Sequence, residues 1–152
     1  MKPGGETMKN AADILREKGT DIFTTKPETS VYEALEKMAE KDVGALLVYE
    51  DEKMVGLISE RDYARKVILK NKFSRDTPVS DIMSADVVTV EPATDLETCM
   101  ELITEHRVRH LPVVEGGRVA GIVSIGDIVK GIVEHKEFLI EQLKKYIKGV
   151  PG

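Results

Sequence analysis

Residues 45–62 read ALLVYEDEKMVGLISERD and residues 110–127 read HLPVVEGGRVAGIVSIGD. In each, an apolar run of strand type, a polar turn and a second apolar run lead into Gly-apolar-apolar-Ser-x-x-Asp, the pattern of a hairpin feeding a helix. The two stretches stand 65 positions apart, and at that offset residues 24–69 align with 89–134 without a gap. Twelve of the 46 aligned positions are identical, with Pro27/Pro92, Gly56/Gly121, Ser59/Ser124 and Asp62/Asp127 among them. Typical composition would give roughly three. The chain therefore carries two copies of one supersecondary unit.

Each copy extends outward from its hairpin in the same way. Phe23-Thr24-Thr25 and Val87-Val88-Thr89-Val90 are β-rich runs closed by Pro27 and Pro92, which cannot continue a strand ladder. Ser30-Val-Tyr-Glu33 and Thr94-Asp-Leu-Glu97 have the S/T-x-x-E spacing of a capping box and announce helices. Val31, Ala34, Leu35, Met38 and Ala39 in one copy, and Leu96, Cys99, Met100 and Ile103 in the other, give those helices one apolar face. A further helix starts after Ser59 and after Ser124. The expected fold class is α/β (α+β), a β-α-β-β-α unit repeated. Each unit is short for a self-sufficient core, so the two should bury a face against one another. Ala11–Lys18 reads as a leading helix, Pro78–Met83 opens the second half, and a helical pattern continues past residue 130 to Gly149. This predicts a flexible start at 1–9, repeats at 10–70 and 79–135, a link at 71–78 and a helical extension at 136–152.

Composition narrows the function. Against 22 Lys and Arg stand 27 Asp and Glu, a net charge of −5, which disfavours nucleic acid as a partner because backbone binding rests on clustered positive charge. No apolar run reaches the ~18 residues of a membrane span. A single cysteine, Cys99, allows no internal disulfide, and with no signal-type opening segment the expected compartment is the cytoplasm. Cys99 falls in an apolar helical stripe and reads as a core residue. His106, His110 and His135 lack the company and spacing of a metal site. No P-loop, nucleophile elbow or paired catalytic carboxylates occur, so the chain is not expected to be an enzyme.

The repeated Ser-x-x-Asp admits two readings. Ser at the first cap position with Asp three residues on is a capping box variant, in which each side chain satisfies a free amide of the first helical turn. Two copies at identical positions, each with the same glycine, also suit a nucleoside. The carboxylate can accept both ribose hydroxyls, the serine can bond ribose or phosphate, and a helix start favours an anion.

With LLVY…GLISERD and LPVV…GIVSIGD in order over nearly its whole length, the chain resembles a tandem pair of CBS domains, a Bateman module. It is similar in particular to small stand-alone CBS-pair proteins. The resemblance implies two repeats packed sheet-to-sheet about a pseudo-twofold, with clefts for adenine nucleotides such as AMP, ADP, ATP or NAD(H). One cleft would place Leu57 on the base, Ser59 and Arg61 on ribose and phosphate, and Asp62 on the ribose diol, with Val88, Val108, Arg109 and His110 opposite. The other would use Ile122, Ser124 and Asp127 with Phe23, Val43, Gly44 and Ala45. Arg61 corresponds to Gly126, and Arg109-His110 to Gly44-Ala45, so the Asp62 cleft is expected to be the tighter phosphate-bearing one.

The implied function is that of a regulatory module which binds an adenine nucleotide, reports cellular energy or redox state to an unidentified protein and needs no catalytic cofactor. The alternatives are a sensor of S-adenosylmethionine type and a structural interaction or dimerisation module with no ligand. Arg61, Arg65, Lys66, Lys70, Lys72 and Arg75 read as a solvated basic face. Phe138, Leu139, Leu143, Tyr146 and Ile147 read as core or homodimer packing.

Overall fold

The protein is described from a computed structural model covering residues 9–68 and 73–149. Residues 1–8 of the expected flexible start at 1–9, residues 69–72 around the start of the link, and 150–152 lie outside the described residues. The architecture is mixed α/β with two small sheets. Contacts divide the chain into two compact units, Asp21–Val87 and the described residues of Met1–Thr20 with Val88–Gly152.

In the unit Asp21–Val87, β1 (Thr24–Thr25) lies parallel to β2 (Ala45–Glu50), which pairs antiparallel with β3 (Lys53–Ser59). Helix α2 (Val31–Lys41) joins β1 to β2. Ser30 caps α2 by accepting a hydrogen bond from the Glu33 amide at 3.1 Å. Asp42, at φ 55°, ends it in the left-handed conformation, one that Asp tolerates better than most residues. Val31, Ala34 and Met38 of α2 meet Leu46, Val48 and Ile58 of the sheet in the core. Ala39 of the expected stripe is exposed instead. A short helix α3 (Glu60–Tyr63) follows β3 and continues as one π-helical turn, Ala64–Ile68, which buries Val67.

The second unit repeats this plan with two differences. Helix α4 (Leu96–His106) is capped by Asp95, whose carboxylate accepts from the Thr98 amide at 2.7 Å. The start therefore lies one residue later than the Thr94-x-x-Glu97 spacing predicts. Thr94 turns its hydroxyl back to the Glu91 amide. The expected strand at Val87–Val90 shrinks to a single parallel bridge, Val90 to Val113. Strands β4 (His110–Glu115) and β5 (Arg118–Ser124) form the hairpin, with a turn at Gly116 and Gly117, both at positive φ. Helix α5 runs from Ile125 to Gly149.

The segment that leads each repeat packs on the core of the other. Helix α1 (Ala11–Lys18), at the head of the first repeat, places Ala11, Ile14 and Leu15 among Leu96, Cys99, Ile103 and Val113 of the second. Val79 and Ile82, at the head of the second repeat, lie among Val31, Met38 and Ile58 of the first. The backbone joins are equivalent. The Ala11 amide donates to the Thr94 carbonyl (2.9 Å) and the Leu96 amide to that of Lys9 (3.1 Å), while the Val79 amide donates to Thr29 (2.7 Å) and the Val31 amide to Thr77 (2.8 Å). A buried Ile or Leu contributes about 1.5–3 kcal/mol, so these leaders are integral parts of the cores they join.

Candidate functional site

Strand β3 ends where Ser59, in extended conformation, caps α3. The Ser59 amide donates to Asp62 Oδ2 at 2.9 Å, the Ser59 hydroxyl donates to the same oxygen at 3.1 Å, and the Asp62 amide donates to Ser59 Oγ at 3.2 Å. One carboxylate oxygen is thereby fixed by the helix start. The other, Oδ1, stands 3.5 Å from Lys66 Nζ, which donates to the Ile82 carbonyl at 2.9 Å. Part of the basic stretch is therefore engaged: Lys66 with Asp62, and Arg75 stacked 4.0 Å over the Tyr32 ring.

The second copy builds the same box. The Ser124 amide donates to Asp127 Oδ2 at 2.9 Å, and the Asp127 amide to Ser124 Oγ at 3.1 Å. Here, however, a cation from another element joins it. Lys18, the last residue of α1, donates from Nζ to Asp127 Oδ2 at 2.7 Å and to the Ile122 carbonyl at 3.1 Å. Burial pushes the Asp127 carboxyl up, but the Lys18 and Ser124 hydrogen bonds and the Lys18 charge outweigh it and hold the group below the usual carboxylate range. Both boxes confirm the capping reading, and in both the capping bonds orient the carboxylate.

The other expected residues take these places. Within Asp21–Val87, Ala45 pairs with Ser59 across the hairpin, and the Gly44 carbonyl accepts from the Glu60 amide at 3.0 Å. Gly44 and Ala45 thus lie beside the Ser59 box of their own repeat. Val43 closes the α2 turn through its amide on Met38, and the Phe23 carbonyl accepts from Leu47. Phe23 carries Lys41 Nζ 5.5 Å above its ring. Leu57 is 8% exposed, on the sheet face opposite Ile58. Arg61 is half-buried beside Asp62.

In the second unit, His110 pairs with Ser124, and the Arg109 carbonyl accepts from the Ile125 amide at 2.8 Å. The Arg109 side chain is exposed and His110 half-buried. Val88 and Val108 pack on the core and Ile122 is half-buried.

Sequence reasoning missed Lys18 and the pairing of Lys66 with Asp62. The second was legible as an i,i+4 charge pair. The first carried no signal, because Lys18 lies 109 residues from Asp127 and outside the segments 24–69 and 89–134 that align. Cys99 is a buried core residue, its thiol pushed up to about 11 by burial first and by the nearby Asp95 charge second. Among the described residues no helix is long and apolar enough to cross a membrane.

Known proteins agree with this architecture. The CBS domain family pattern matches the chain twice, at residues 11–69 and 79–134. The CBS domain-containing protein CBSX3, mitochondrial, of Arabidopsis thaliana is 38% identical over 98% of this chain and 77% of its own length. The crystal structure of the CBS domain protein NE2398 superposes with a TM-score of 0.78 at 47% identity, over 84% of this chain and 99% of that one. The CBS domain pair of protein MJ0100, solved with 5-methylthioadenosine and S-adenosyl-L-methionine, has a TM-score of 0.72 at 25% identity, over 82% and 95% of the two chains. The doubled hairpin, the two Ser-x-x-Asp boxes and the exchanged leaders are thus those of a chain that belongs to the CBS-domain family.

Proposed function

We propose that this CBS-domain protein is a regulatory module that binds adenosine-containing ligands, foremost AMP, ADP, ATP or NAD(H), and passes the resulting shift to a protein partner without transforming the ligand. The observation that carries this is the pair of carboxylates, Asp62 and Asp127, each held by its own helix start with Oδ2 fixed. A carboxylate already oriented can accept vicinal ribose hydroxyls with little further loss of freedom. In this reading Ser59 and Ser124 hold ribose or phosphate. Arg61, Arg109 and His110 bind phosphate. Leu57, Ile122, Phe23, Val43, Gly44, Ala45, Val88 and Val108 supply the apolar and backbone surface for the base. The adenosine part is favoured by the MJ0100 complex, which also favours the second reading, a sensor of S-adenosylmethionine type. A ligand acts as an effector only through unequal affinity for two states of the module.

Titration calorimetry with AMP, ATP, NADH and S-adenosylmethionine tests the proposal. Hydrogen bonds to a charged group are worth about 1.5–3 kcal/mol each, so Asp62→Ala and Asp127→Ala should each weaken one site by about tenfold or more. Because Arg61 adjoins Asp62, the Asp62→Ala loss should be the larger for phosphate-bearing ligands. Equal losses would remove that ranking, and absence of heat with all four ligands would leave the chain a structural module.

The same proposal includes a homodimer through the outer half of α5. Ile140, Leu143 and Ile147 recur at heptad spacing and are exposed. Glu134, Glu137 and Glu141, with Lys136 among them, precede Lys144, Lys145 and Lys148 along the helix. An antiparallel second copy would therefore set acid against base while covering the apolar stripe. Leu143→Glu should convert a dimer mass to a monomer mass in sedimentation equilibrium. A monomeric wild type would refute the pairing.

A further inference from the structure

The Asp127 box differs from the Asp62 box in its cation. Lys66 belongs to the helical segment that follows Ser59 and stands 3.5 Å from the outer oxygen of Asp62. Lys18 arrives from α1 and bonds the Asp127 oxygen that the helix start already uses, at 2.7 Å, together with the Ile122 carbonyl. An ammonium has three N–H donors. Two are engaged by the protein, and the Lys18 side chain is 37% exposed, so the third is available to an incoming acceptor. The carboxylate that would take a ribose diol is thus partly neutralised by a cation that itself offers a donor to an anion.

Resting on the nucleoside reading above, we propose that Lys18 is the specificity-determining residue of the Asp127 site, selecting nucleosides that carry an anionic phosphate over neutral or cationic ones. A neutral nucleoside must compete with the ammonium for Asp127 and brings nothing to hold it elsewhere. A sulfonium-bearing nucleoside is repelled by it. A phosphate accepts the third N–H and draws the ammonium toward itself, which frees carboxylate capacity for the ribose while adding a charge-assisted hydrogen bond. The box that has Gly126 where its counterpart has Arg61 thereby gains a cation from α1.

The test compares adenosine with AMP by calorimetry on Asp62→Ala protein, in which the Asp127 site reports alone, with Lys18 intact, as Lys18→Met and as Lys18→Arg. With Lys18 intact AMP should bind the tighter. Lys18→Met should weaken AMP about tenfold and tighten adenosine several-fold, and Lys18→Arg should keep the preference for AMP. A ratio of AMP to adenosine affinity unchanged in Lys18→Met, with binding intact, overturns this proposal alone. Failure of both ligands to bind any form overturns the nucleoside reading and this proposal with it. A second measurement reads the ammonium in the protein with both sites intact. In the protein with ¹³C,¹⁵N-labelled lysines, the Lys18 side-chain resonance, assigned by its absence from Lys18→Met, should move further on adding saturating AMP than on adding saturating adenosine. Equal movement with both would also overturn the proposal.

Discussion

Ile14→Ala is expected to strip hydrogen-exchange protection from Leu96–His106 and from the β4–β5 hairpin, while Ile82→Ala should strip it from Val31–Lys41 and the β2–β3 hairpin. Each side chain is buried, at 5% and 1% exposure, in the core of the repeat other than its own. Removing a buried isoleucine to alanine costs about 2–5 kcal/mol, through lost transfer energy and the cavity left behind. That is a large share of the 5–15 kcal/mol that holds a typical domain. Sub-global opening then reports where the side chain worked. If Ile14→Ala exposed chiefly the amides of 31–41 and 45–59, the exchange of leaders between repeats would be wrong.

Gly56→Ala should destabilise more than Gly121→Ala, although the two glycines occupy the same position of the repeat. A Cβ on Gly56 would lie 2.6 Å from Met83 Sδ and 2.9 Å from the Ser84 carbonyl oxygen. The methionine can swing away. The carbonyl cannot move freely, because Leu57 and Ser84 exchange two backbone hydrogen bonds, at 3.0 and 2.9 Å. The atoms nearest a Cβ on Gly121 all belong to the Leu15 side chain, its two methyls at 2.6 and 2.9 Å and Cγ at 3.3 Å, and another rotamer relieves the closest of these in part. Overpacking costs about 1–3 kcal/mol, and Gly56→Ala belongs at or above the top of that range with Gly121→Ala toward the bottom. Urea denaturation of both variants is the check. Equal midpoints, or a lower one for Gly121→Ala, would show that the Ser84 carbonyl is not what constrains Gly56.

Much of this protein follows from local chemistry that a sequence displays directly. The duplicated hairpins, the helix starts after Ser30, Ser59 and Ser124, the leading helix Ala11–Lys18 and the end of α5 at Gly149 all depend on residues within a few positions of one another. Capping, alternation and helical periodicity act over that range, and the repeat doubled each signal. Where two local signals compete, the spacing points one residue early, as at Thr94, whose hydroxyl serves the turn before α4 while Asp95 caps the helix. The strand at Val87–Val90 has β-forming residues, but strand length depends on pairing partners, and only Val90 finds one.

The sequence by itself determined the family, the mixed α/β repeat and the two Ser-x-x-Asp boxes, because all of these reside in residue order and short spacing. Tertiary structure alone decided which core each leader joins and that Lys18 meets Asp127. Both depend on contacts across many tens of residues, between segments that do not align with each other in the repeat. A lysine at the end of an amphipathic helix looks the same in sequence whether it faces water or a carboxylate 109 residues away. Only the packing of Ile14 and Leu15 into the core of the second repeat brings it there.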